Sequence, residues 1–318
     1  MNKVALIAGI TGQDGAYLAH HLLQAGYKVV GSSRDAQSCD TKKLSRLGIE
    51  NDIELISLAP NDFRSVLKAI SSIEPMEVYN LAGQTSVGLS FEQPVECMES
   101  IAGGTLNFLE VLRYLESPTR LFNAGSSECF GDTQKKPANE KTAFNPKSPY
   151  AVAKSTSYWQ VANYREAYGI FCCTGILANH ESPLRPKRFV TQKIIDGVRR
   201  IKSGESHELR LGNLDIWRDW GWAPDYVKAM HQMLLAPTAK DYLIASGQTI
   251  SLRQFVSMAF SAAELKPEPY LVTDESFLRP SDLVYSSMDP SLIRNDLNWR
   301  AQVSPYKIVQ NMYEGKLL

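Results

Sequence analysis

Val4-Ala5-Leu6-Ile7-Ala8 runs straight into Gly9-Ile10-Thr11-Gly12-Gln13-Asp14-Gly15 near the start of a 318-residue chain. Five apolar residues bounded by a turn signal read as a short strand buried on both faces. Lys3 ahead of them lends the look of a signal peptide, but the run is too short and meets Gln13 and Asp14. The glycines stand three apart and lead into an amphipathic stretch over Ala16–Gln24. Glycine permits the tight turn, the close approach of a pyrophosphate, and the packing of helix on strand. The helix start then offers free N–H groups and a positive dipole end to the phosphates. The stretch predicts a dinucleotide-binding turn, with Gly9, Thr11, Gly12, Gln13, Asp14 and Gly15 at the cofactor.

Outward from this turn the pattern repeats. Strands are expected at Lys28–Ser32, Ile53–Leu58, Glu77–Leu81, Arg120–Ala124 and Phe171–Leu177, with helices at Phe63–Ile73 and Val95–Leu115 between them. Ser148, Pro149 and Gly169 mark the cap, first position and end of another helix. Alternation of this kind predicts an α/β fold, a Rossmann-type doubly wound parallel sheet. After Leu177 the chain turns rich in Gly, Pro, Asn and Arg, which places a domain change near Ala178. Residues 1–177 are the expected dinucleotide-binding domain and residues 178–318 a smaller, mixed α/β substrate domain. Its helices are expected at Thr191–Ser203, Pro224–Leu235, Leu252–Glu264 and Pro290–Leu297. A segment near 213–245, with strand Asp241–Ala245, is expected to return to the first domain.

The 34 basic residues balance 34 acidic ones, which argues against a nucleic-acid partner or an anionic membrane surface. No run of apolar residues is long enough to span a membrane. The five cysteines are scattered without metal-ligand spacing, so buried thiols in a reducing cytoplasm and no metal site are expected. Cys172 and Cys173 should point to opposite faces of one strand.

Two places after the strands carry chemistry. Gly31-Ser32-Ser33-Arg34 ends the second strand, where an acid would hold the ribose 2′-hydroxyl of NAD and an arginine accommodates the 2′-phosphate of NADP. Arg34 favours NADP; the adjacent Asp35 keeps NAD open, and a solvated charge pair is the plainer reading. Ser126 and Glu128 follow the Arg120–Ala124 strand, where doubly wound sheets present residues to the ligand crevice. Tyr150 and Lys154 share one helix face at i and i+4. A nearby ammonium stabilises a phenolate, the positive ends of a helix N-terminus and a nicotinamide ring would add to that, and Tyr150 could then exchange a hydroxyl proton during hydride transfer. Such a pair alone is more often an exposed helix face. Glu128 could remove a carbon-bound proton, or be a surface acid.

Gly9, Gly12, Gly15, Ser126, Tyr150 and Lys154 occur in the order of the extended short-chain dehydrogenase/reductase family, which the chain resembles. Within it the chain looks most like the GDP-mannose 4,6-dehydratases. The phrases that carry the likeness include GITGQDGAYLA, EVYNLAGQTSV, SPYAVAK, GILANHESPLR, LGNLDIWRDWG and FLRPSD. The resemblance implies NADP (NAD as alternative) and a nucleotide-sugar substrate, GDP-mannose first. Tyr150, Ser126 and Lys154 would oxidise C4 of the sugar; Glu128 would take the C5 proton as water leaves C6. It places Leu81, Ala82, Gln84, His180 and Arg185 at the cofactor, the last near its 2′-phosphate. Ser86, Glu128, Asn179, Lys193, Arg218 and Arg279 would contact the sugar nucleotide. Lys154, Arg185, Lys193, Arg218 and Arg279 should therefore converge on one cleft. A homodimer or homotetramer is implied, in which the polar stretch Asp35–Lys43 faces either a neighbouring subunit or solvent.

The chain departs from the family at Gly125 (usually Ser), Ser126 (usually Thr), Ile101 (usually polar) and the single Arg34 (usually a pair). The acid expected after the third strand is replaced by Leu58-Ala59-Pro60-Asn61-Asp62. Trp217, Trp220 and Trp222 read as packing. An epimerase or 4-keto reductase of the same family is the competing enzyme reading. A non-catalytic NADP-binding regulator is the competing binding reading.

Overall fold

The computed structural model describes residues 3–274, 276 and 282–318. Its first part runs β1 (Val4–Ala8), α1 (Gln13–Gln24), β2 (Lys28–Ser33), α2 (Lys42–Arg46), β3 (Ile53–Ser57), α3 (Phe63–Ile73) and β4 (Glu77–Asn80). Then follow α4 (Val87–Glu92), α5 (Pro94–Met98), α6 (Gly104–Tyr114), β5 (Arg120–Ala124), α7 (Pro149–Tyr168) and β6 (Cys172–Leu177). These strands, with Tyr242–Ile244, form one seven-stranded sheet. Its order is Tyr242–Ile244, β6, β5, β4, β1, β2, β3, and every pairing is parallel.

Period two explains the apolar runs. In β1, Ala5 and Ile7 pack on one face with Tyr17, Leu18, Val227 and Met230; Leu6 and Ala8 pack on the other with Val66, Phe108 and Leu112. Cys173 joins the first face and Cys172 the second. The strand Tyr242–Ile244 lies beside β6, where Leu243 aligns with Ile176. A separate core collects Ile194, Val198, Trp220, Phe255, Phe260 and Ile308 beneath the helices Val190–Lys202, Leu252–Ala262 and Pro305–Glu314.

The helix expected over Val95–Leu115 is present as continuous helical backbone, α5 and α6 joined by a π-helical turn at Glu99–Gly103. Consecutive Gly103 and Gly104 weaken the helix there. The bare Gly104 also lets Pro60 come close, because an added Cβ would sit 3.1 Å from the Pro60 Cβ. Asn107 Nδ2 donates to the Pro60 carbonyl at 2.8 Å, tying the loop after β3 to α6. The helices expected after Leu177 are present at Val190–Lys202, Ala223–Leu235, Leu252–Ala262 and Ser291–Leu297, whereas short strands such as Asn179–Glu181 and Trp217–Trp222 and the last helix Pro305–Glu314 lacked a clear periodic signal.

From β1 the chain winds one way to β2 and β3 and the other way to β4 and β5. A crevice opens beyond the carboxyl ends of β1 and β4, where ligands of such sheets bind.

Candidate active site

Gly9 has φ +90°, a conformation that side chains rarely adopt, and a Cβ there would stand 2.9 Å from Leu81 backbone atoms. A Cβ on Gly15 would meet the Gly9 carbonyl oxygen at 2.3 Å. The turn is thus closed to anything larger than glycine. Gly12 precedes α1 and gives its first turn no side-chain cap. A cradle of backbone at a helix start fits a pyrophosphate.

Gly9, Thr11, Gly12, Gln13, Asp14 and Gly15 line a cavity of about 780 Å³, together with Arg34, Leu81, Ala82, Gln84 and Arg185. A smaller cavity of about 190 Å³ adjoins it and shares Asp14, Leu81, Thr85, Arg185, Arg188 and Phe189. Ser126, Glu128, Tyr150, Lys154, Asn179, His180 and Arg218 line this second space, with Ser86 at its edge.

Local structure positions the cluster. The Ser148 hydroxyl accepts the Ala151 N–H, and Pro149 opens α7, so Tyr150 and Lys154 lie in its first turns. Ser126 starts a single 3-10 turn, Ser127–Phe130, accepting the Glu128 N–H at 3.3 Å. Gly125 brings this turn against β6: an added Cβ would meet Thr174 Cγ2 at 2.6 Å. The glycine that departs from the family therefore lies where the neighbouring strand carries Thr174.

Burial raises the Tyr150 phenol, and the hydrogen bond with Ser126 only partly draws it back. Lys154 donates its N–H to the Ala124 carbonyl at 2.6 Å and sits 5.9 Å from the Tyr150 ring centre. Burial lowers its ammonium to about 8. In the protein alone desolvation dominates the phenol; the lowering expected from the sequence counts on a nicotinamide ring as well as on Lys154.

Two expected cofactor residues turn out to brace the site. Gln13 donates to the His180 carbonyl at 3.1 Å and accepts from Ser182 at 2.7 Å. Gln84 grips the Ser86 backbone through both ends of its amide. Ser86 caps α4 by accepting the Leu89 N–H. Asp14 pairs with His180, 2.8 Å apart. Arg185 was expected near the ribose phosphate, but it lines both cavities and its charge acts on Tyr150, Asp14 and His180. Its guanidinium stacks on Phe189 at 3.8 Å and sits at the junction of the two cavities. Arg218 donates to Asp282 at 3.2 Å. Lys193 lies in the helix Val190–Lys202 and lines neither cavity; its charge faces Asp274. Full convergence of the five cations is thus not met, and Arg279 lies outside the described residues. Trp220 and Trp222 are core, and Trp217 stacks on Tyr285.

Sequence reading missed Lys43, Asn61, Ser100 and Arg188, all of which line the larger cavity. In the stretch Asp35–Lys43, expected to face a neighbouring subunit or solvent, the Lys43 end folds back onto the chain's own glycine turn, where Lys43 Nζ donates to the Thr11 carbonyl at 2.7 Å. Asp62, after β3, caps α3 and does not line the cavity. Among the described residues there is no helix able to cross a membrane and no group of three or more His, Cys, Asp or Glu that could hold a metal ion.

The family model described as GDP-mannose 4,6 dehydratase matches residues 6–312. GDP-mannose 4,6 dehydratase 2 of Arabidopsis thaliana is 40% identical, covering 99% of this chain and 87% of that protein. GDP-mannose 4,6-dehydratase of Vibrio cholerae is 38% identical, covering 99% and 94%. A Thermus thermophilus UDP-glucose 4-epimerase solved with NAD superposes with a TM-score of 0.86 at 22% identity, covering 98% of each chain. At that identity the superposition speaks for the fold alone.

Proposed function

The chain belongs to the GDP-mannose 4,6-dehydratase family, and on that premise we propose that it converts GDP-mannose to GDP-4-keto-6-deoxymannose. The reaction is a loss of water with no net redox change, using bound NADP, with NAD as the alternative. The observation that carries the reading is one cavity lined by Ser126, Glu128, Tyr150 and Lys154, continuous with a cleft built on the glycine turn.

Gly9, Thr11, Gly12 and Gly15 would hold the dinucleotide's pyrophosphate, with Leu81 and Ala82 along its length and Arg34 at the ribose end. Asn179, Ser86 and Arg218 would receive the nucleotide sugar, an arginine being suited to a diphosphate. Bound NADP would supply reversible hydride storage, from C4 to C6 of the sugar, and a positive charge that favours a phenolate. Tyr150 takes the proton of the 4-hydroxyl, Ser126 holds that hydroxyl, and the Lys154 charge favours the phenolate. The new C4 ketone acidifies the C5 hydrogen, and Glu128 removes it as water leaves from C6.

Exposed Val95, Met98, Leu106, Val152 and Trp159, on α5, α6 and α7, support a homodimer or homotetramer with an interface on these helices. Five unpaired cysteines support a cytoplasmic setting. Incubation with GDP-mannose and catalytic NADP⁺ tests the function: a product lighter by one water, without NADPH accumulation, is expected. An unchanged mass or stoichiometric NADPH use would contradict it.

A further inference from the structure

We infer that Lys43 is the second cation that reads the dinucleotide's 2′-phosphate, and that with Arg34 it sets NADP above NAD. The inference rests on the cofactor reading above and supplies what the single arginine at the end of β2 leaves incomplete.

Three observations converge. First, the acid that could serve a free ribose 2′-hydroxyl is engaged elsewhere. Asp35 accepts the Gln37 N–H at 2.9 Å and the Ser38 hydroxyl at 2.7 Å, and it does not line the cavity. Second, the cavity wall at the end of β2 consists of Ser32, Ser33 and Arg34, which are hydrogen-bond donors rather than carboxylates. Third, Lys43 reaches this same cavity from α2, anchored by its bond to the Thr11 carbonyl. An ammonium has three N–H donors, and that bond takes one.

The charge of Lys43 is also held at some disadvantage. Burial lowers its pKa, Asp40 partly restores it, and Arg188 lowers it again. A dianionic phosphate between these cations would reverse that balance, whereas a neutral ribose hydroxyl would not. Neighbouring α2 contacts hold the arm in place: Arg46 donates to the Pro183 carbonyl at 3.0 Å, and Leu44 is buried.

The test is calorimetric titration of nucleotide-free full-length protein with NADP⁺ and with NAD⁺, for wild type, Lys43→Met and Lys43→Arg. Wild type should prefer NADP⁺. Lys43→Met should weaken NADP⁺ binding about tenfold or more while changing NAD⁺ less than about twofold, as loss of one charge-assisted bond to phosphate predicts. Lys43→Arg should keep most of the preference, which also guards against misfolding as the cause. Equal weakening of both nucleotides would overturn the inference, since Lys43 would then serve the pyrophosphate or the turn. No weakening of either would overturn it too. A wild type without preference would reject the cofactor reading itself, and the inference with it, before any variant is compared.

Discussion

His180 and Asp14 are joined by a 2.8 Å contact between Nε2 and Oδ2, and the other ring nitrogen of His180 faces the Ala178 carbonyl at 2.8 Å. A carbonyl and an ionised carboxylate only accept, so the arrangement favours a proton on each ring nitrogen. Burial alone would keep His180 neutral, but Asp14 outweighs it and the ring is raised above its ordinary value. Burial likewise opposes the Asp14 charge, yet His180 and Gln13 hold the carboxyl below its ordinary range. The pair joins α1 to the segment after β6, at the junction of the two cavities.

The sign of its pH dependence follows. The raised His180 contributes stability fully present below its unfolded value and lost as pH rises through the folded one. The lowered Asp14 contributes stability present above its unfolded value and lost as pH falls through the folded one. The two therefore act together between those limits. Histidine NMR should place the His180 midpoint above the ordinary imidazole value of 6.5, and Asp14→Asn should bring it below. A wild-type midpoint below that value would reject the ion pair.

At Lys154 the sign reverses. Its ammonium is lowered from 10.5 to about 8 by burial, so between those values the folded chain binds fewer protons than the unfolded one. Stability should rise with pH across this window. Lys154→Met should stabilise the nucleotide-free protein at neutral pH by up to about 3 kcal/mol, from the shift at 1.36 kcal/mol per pKa unit. That gain should shrink towards pH 10, and turnover should be lost. Calorimetric melting of both proteins at the two pH values checks it; a variant that melts lower throughout would contradict it.

Glu128→Gln should lower kcat by about 10²–10⁴, the usual worth of a positioned general base. KM should move little. In deuterated water, exchange at C5 should vanish with turnover. Retained turnover would instead favour the epimerase or reductase alternative.

Gly125→Ser should destabilise by about 1–3 kcal/mol through overpacking, because the new Cβ meets Thr174 Cγ2 at 2.6 Å and the Gly175 carbonyl at 3.0 Å. Adding Thr174→Ser removes the nearer methyl and should recover part of the loss. Thermal melting of the three proteins decides; an unshifted single variant would show that the strands yield.

What was legible in the sequence was local or periodic. The apolar run of β1 and the cap, proline and terminal glycine of α7 carry their own signals, and the structure follows them. Glycine spacing announced the turn because backbone closeness there tolerates no side chain. Ser126, Glu128, Tyr150 and Lys154 were findable because strand ends and one helix face bring them to a crevice. Lys43 was not, since α2 is five residues long and only tertiary folding returns it to Thr11. The bracing roles of Gln13 and Gln84 were hidden as well: a polar residue in a cofactor turn gives no sign of whether its amide faces ligand or backbone. The bond from Lys154 to the Ala124 carbonyl was hidden too, because an i, i+4 spacing fixes a shared face but not the direction of the Lys154 N–H bonds.

Internal transfer of hydrogen from C4 to C6 within one sugar is what sets the proposed reaction apart. GDP-mannose deuterated at C4, turned over with catalytic NADP⁺ and analysed by mass spectrometry and NMR, tests it directly. A dehydrated product carrying the deuterium at C6 is expected. Deuterium returned to C4 with the mass unchanged, or left on the nucleotide cofactor, would contradict it.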